Sequence, residues 1–76
     1  MSVRGAVDVK KTAETWLKQA QNVGKEYFIR SLKSHREEMA KGGTYSGVHA
    51  ETYKLMSQHP WGQEYLKIEQ IKQHPS

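Results

Sequence analysis

From residue 6 to residue 24 apolar and polar positions alternate with a helical period. Val9, Ala13, Trp16, Leu17 and Ala20 follow one another at steps of four, three, one and three, which sets them on one face of a helix. Asp8 precedes this stripe as an N-cap or first-turn acid, and Gly24 stands where such a helix stops. A second helix is expected from Pro60 to about Gln73. Proline suits a first helical turn, and Trp61, Tyr65, Ile68 and Ile71 recur at four, three and three. Gly62 and the His74-Pro75 end limit its length. Leu66 lies off this stripe by more than a quarter turn, so it either completes the core from the side or offers an exposed contact to a partner.

The middle of the chain is less decided. In residues 25–43, Phe28, Leu32 and Met39 fit a helix ending at Gly42-Gly43, whereas Tyr27-Phe28-Ile29 fits a strand with alternating sides. The pattern alone leans to helix, although adjacent Tyr, Phe and Ile favour a pleated surface. Residues 44–59 read as short extended pieces: Gly47 interrupts a regular element and Thr52-Tyr53-Lys54-Leu55 alternates as a short strand. No repeat and no low-complexity linker divides the chain, so residues 1–76 are expected to form a single compact domain.

At 76 residues that domain has a thin core, because a small domain buries a smaller share of its surface than a large one. Trp16, Trp61, Phe28 and the four tyrosines supply large side chains for it. There is no cysteine, hence no disulfide framework and no thiolate zinc site, and a reducing compartment is expected. No apolar run approaches the roughly 18 residues of a membrane span, so a soluble protein is expected and no membrane partner.

Twelve Lys and Arg against eight Asp and Glu leave a net charge of +4. Lys11, Lys18 and Lys25 recur every seven residues on the side of the first helix away from its apolar stripe, with Arg4 in phase should the helix reach that far. These four residues either form a basic ridge that meets an acidic partner or a phosphate backbone, or make an ordinary solvated face that Glu14 partly interrupts. Weak nucleic-acid contact is compatible with this charge.

Reaction chemistry is not apparent. His35, His49, His59 and His74 are separated by 14, 10 and 15 residues, unlike the close spacing of helical or finger-type metal sites. In His35-Arg36-Glu37-Glu38 the two carboxylates are adjacent and diverge, whereas phosphodiester cleavage needs carboxylates converging on a metal. The glycines lack the spacing of a phosphate loop, and no serine or threonine sits in a nucleophile motif. The expectation is a protein that is not an enzyme, with no catalytic, metal or cofactor site.

Read end to end, the chain resembles the internal head protein I family of T-even bacteriophages. The likeness opens with Ser2-Val3-Arg4-Gly5-Ala6-Val7-Asp8-Val9-Lys10-Lys11 and continues through Trp16-Leu17-Lys18-Gln19-Ala20 and Tyr27-Phe28-Ile29-Arg30. It is an overall likeness and not a diagnostic motif. The resemblance implies an α+β fold in which N- and C-terminal helices flank small β-sheets, which would turn the undecided middle toward strands. It implies a virion protein of the capsid interior, injected with the DNA into the host cytoplasm. Met1 would then be an initiator added to a sequence from which a short leader has been removed. The implied role is antirestriction: a monomer binds and inhibits a host two-subunit, modification-dependent restriction endonuclease that attacks glucosylated hydroxymethylcytosine DNA. Candidate partner-binding residues are Arg4, Lys11, Lys18, Lys25 and Leu66. The alternatives are a basic DNA-associated packaging protein of the head without a specific enzyme target, and a small regulator of another host protein.

Overall fold

A computed structural model describes residues 8–73, and over that span the chain is a four-helix protein. The helices are α1 (Val9–Val23), α2 (Lys25–Lys41), α3 (Ser46–Gln58) and α4 (Pro60–Gln73). No strand occurs among the described residues, so the α+β fold with terminal helices flanking small sheets is corrected to all-α.

The sequence punctuation at the two ends of α1 operates as its chemistry requires. The Asp8 carboxylate accepts the Lys11 backbone N–H at 3.0 Å, satisfying one of the free donors of the first turn and contributing about 1 kcal/mol. Gly24 adopts φ 137°, a region that side chains rarely enter. From there its N–H reaches the Ala20 carbonyl at 3.2 Å and its own carbonyl accepts the Phe28 N–H at 2.9 Å. One glycine therefore closes α1 and opens α2.

The middle of the chain is helical because its apolar groups step around a helix and not across a pleat. Tyr27 is exposed, Phe28 is fully buried and Ile29 is half-buried, as the 100° advance per helical residue produces. In α3, Val48, Thr52 and Met56 are buried at intervals of four. Gly47 falls in the first turn of α3, where the helix tolerates it. The Thr52 hydroxyl, which would be costly to bury unpaired, donates to the Val48 carbonyl one turn back at 2.7 Å.

Two inner helices organise the packing. α2 and α3 lie against each other, and both touch α1 and α4, while α1 and α4 do not touch. Ala20, Phe28, Leu32 and Met56 form the fully buried centre, with Leu17, Ile29, Tyr53, Trp61, Tyr65 and Leu66 packed around it. The two buried positions of α1 are both alanines, Ala13 and Ala20, so this helix contributes proximity more than bulk.

The α3–α4 corner is tight. His59 takes an extended backbone, Pro60 starts α4, and the His59 Nδ1 accepts the Trp61 backbone N–H at 3.1 Å, so a histidine ring caps the helix. A Cβ on Gly62 would lie 1.8 Å from the Met56 carbonyl oxygen and 3.3 Å from Leu32 Cδ1. Gly62 thus does not shorten α4. It lets α4 pass against the end of α3.

Candidate functional site

The side chains of greatest chemical interest gather where α1, α2 and α3 meet. Trp16 from α1 stacks on the His35 ring of α2 with centroids 5.4 Å apart and planes 11° from parallel. His49 from α3 leans on the same indole at 5.3 Å. The two imidazoles face one another, with Nδ1 to Nδ1 at 2.8 Å. Gln19, Tyr27, Ser31 and Ser34 complete a cleft of about 270 Å³ around these rings.

Burial first, and the neighbouring His49 second, push the His35 pKa down to about 4, against a smaller opposing pull from Glu38. At neutral pH the His35 ring is uncharged. The Nδ1 to Nδ1 contact requires one ring to donate its proton and the other to offer a lone pair, so the two rings are not both protonated. Nothing in the cleft forms an activated nucleophile, since among the described residues no serine hydroxyl hydrogen-bonds an imidazole. Nor is any group of three or more His, Cys, Asp and Glu gathered among the described residues.

A second polar constellation ties α2 to α4. Arg36 donates through both terminal nitrogens to the Glu69 carboxylate, at 2.7 and 2.9 Å, and the Tyr65 hydroxyl donates to the same carboxylate at 2.9 Å. The guanidinium, helped by the phenol, holds the Glu69 pKa at about 2. Lys33 sits over the Tyr65 ring, 5.3 Å from its centre. Two guanidinium donors and a phenol converge on one carboxylate, which makes the fork a clamp between α2 and α4.

The proposed contact residues fare differently. Arg4 lies outside the described residues. Lys11 and Lys18 are exposed on α1, two turns and about 10 Å apart along its axis. Lys25 is not on that helix: it begins α2 beyond Gly24 and pairs with Glu64 of α4. The seven-residue phase that joined it to Lys11 and Lys18 is broken by the glycine between them. Leu66 packs against the core from the side, so its reading as an exposed contact gives way to its reading as core.

Sequence reasoning missed the His35–His49 pair. Local spacing finds histidines on one helix turn, whereas these two are brought together by the packing of α2 on α3.

No helix among the described residues is long and apolar enough to cross a membrane. No family model matches the chain, and no similar curated protein or solved structure was found.

Proposed function

We propose that this chain is a binding protein that acts by contact with an acidic partner surface and catalyses no reaction. The observation that carries this reading is where the positive charge lies. α3 and α4 are each balanced in charge, while α1 holds three lysines against Glu14 and α2 holds five cations against three carboxylates. On α2, Lys25, Arg36 and Lys41 are each paired with a carboxylate and Lys33 lies over the Tyr65 ring. That leaves Arg30 as the one exposed cation of α2 without such a contact among the described residues. On α1, Lys10, Lys11 and Lys18 are exposed and pair with no carboxylate of the described residues. An unpaired cationic helix face steers association with an oppositely charged surface.

The specific role we propose is the one the family resemblance implies, inhibition of a host two-subunit restriction endonuclease that cuts glucosylated hydroxymethylcytosine DNA. That role rests on the resemblance of residues 2–11, 16–20 and 27–30 alone, since no curated relative was found to carry it. The α+β fold that accompanied the likeness is not this chain's fold and lends it nothing. A net charge of +4, with acids interspersed, is a weak basis for condensing DNA, which favours a protein target over the genome itself.

The test is cleavage of glucosylated phage DNA by the purified nuclease, titrated with this protein at fixed enzyme and again at fixed DNA. The reading predicts an end point that follows enzyme concentration. An end point that follows DNA concentration and vanishes with added salt identifies a packaging protein instead. Undiminished cleavage removes the nuclease as the target.

A further inference from the structure

The α1–α2–α3 cleft holds two imidazoles from different helices whose Nδ1 atoms converge on one point, 2.8 Å apart, in a space of about 270 Å³. As a hydrogen bond this arrangement needs one Nδ1 to keep its proton and the other to accept it. A metal ion removes that requirement, because both nitrogens then donate lone pairs. We propose that His35 and His49 form a two-imidazole site for a borderline divalent transition ion of the Zn²⁺ and Cu²⁺ class.

The balance is simple. The ring that carries its proton on Nδ1 passes it, by way of solvent, to its own Nε2, so both rings stay neutral. Both Nδ1 lone pairs are thereby freed, and two N–metal bonds form as two waters leave the ion. Zinc–nitrogen bonds of roughly 2.0–2.1 Å at a tetrahedral angle set the two nitrogens about 3.3 Å apart. Entry of the ion therefore asks the rings to separate by about 0.5 Å, within reach of small side-chain rotations. Imidazole nitrogens prefer zinc, copper and nickel over the hard cations, which sets the class of ion.

The surroundings fit that role. Among the described residues no third His, Cys, Asp or Glu joins the pair, so water completes the shell. The serine hydroxyls and the Gln19 amide lining the cleft are suited to hold that water. Glu38 acts electrostatically on the His35 ring and offsets part of the charge of an incoming cation. The other aromatic histidine of the fold, His59, is unsuited because its Nδ1 is occupied by the Trp61 N–H.

Trp16, stacked on His35, supplies an optical reporter. The experiment is titration of the whole chain with Zn²⁺ by calorimetry, and with Cu²⁺ followed by tryptophan fluorescence. The expected result is one saturable equivalent in the micromolar range, with Cu²⁺ quenching that is lost in W16F. H35Q and H49Q should each weaken Zn²⁺ binding at least tenfold, while H59Q and H74Q leave it unchanged. Because a substitution in the cleft can disturb folding, the wild-type chain is also followed by imidazole ¹⁵N resonances. Zn²⁺ should shift the Nδ1 signals of His35 and His49 and spare His59. Absence of a saturable equivalent, or shifts confined to His59 or His74, overturns the proposal.

Discussion

Two clusters in this small protein are built from the same kinds of residue and are put to different ends. In one, His59 lies between Phe28 and Trp61, with ring centroids 4.7 and 5.0 Å away, and its Nδ1 is spent on the first turn of α4. In the other, Trp16, His35 and His49 stack together, but the histidine nitrogens meet only each other and border an open cleft. The first is centred on a fully buried ring, Phe28, and is anchored by the backbone. The second has no fully buried side chain, and its histidines are held by ring packing and by the one hydrogen bond between them, with no backbone anchor. A histidine's chemistry is thus decided by whether its nitrogens already serve the fold.

The comparison breaks most readily at the α3–α4 corner. G62A places a methyl against the Met56 carbonyl, which is backbone and cannot rotate away, and is expected to destabilise the protein by about 3 kcal/mol in urea unfolding. A neutral result there would mean that α4 does not pack this closely on α3. H59A removes the ring that caps α4, and a loss of about 1 kcal/mol is expected, visible as fraying of α4 in amide exchange before any change in α1.

pH separates the two clusters further. The His35 pKa is held at about 4 in the folded state, below its ordinary value, so the unfolded chain takes up that proton first. Its contribution is therefore complete above about pH 6.5 and is lost as pH falls toward 4. The ring is only half-buried, and with water screening the loss is about 1 kcal/mol. His49 of α3 opposes protonation and Glu38 of α2 favours it, so H49Q should raise the His35 pKa and shrink this pH window. Glu69, held at about 2 by Arg36 and Tyr65, acts in a lower window, its contribution fading only from about pH 4.5 downward. Urea midpoints measured from pH 7.5 to 3 in wild type and H49Q distinguish the two windows.

The smallest effect on stability is expected on α1. K11E with K18E alters two exposed positions, and stability should stay within about 0.5 kcal/mol of wild type.

The outer helices were legible because each has one buried side. Asp8, Gly24 and Pro60 marked their limits correctly, and α1 begins and ends where capping and glycine place it. α4 shows the limit of a periodic stripe. Trp61 and Tyr65 pack, but Ile68 and Ile71 are 47% and 65% exposed, and beyond Glu69 every residue through Lys72 faces solvent. α3 was illegible for the opposite reason. It packs on all three other helices, so its apolar face is diffuse, and two of its inward residues, His49 and Thr52, are polar by type. Over residues 25–43 the periodic pattern leans to helix, which is what forms. The resemblance turns that segment toward strands, and the packing of α2 overrides both it and the strand preference of adjacent Tyr27, Phe28 and Ile29. The basic ridge extended one residue too far: Gly24, recognised as a helix stop, already separated Lys25 from Lys11 and Lys18. The His35–His49 pair depends on helix docking and leaves no local spacing to read.

The contact account stands or falls on the α1 lysines. The decisive measurement is inhibition of the nuclease by the K11E/K18E double variant beside wild type, with circular dichroism establishing that the helices are intact. The account predicts that inhibition weakens at least tenfold while helicity and urea midpoint stay the same. Undiminished inhibition by the folded double variant would contradict it and take α1 out of the contact surface.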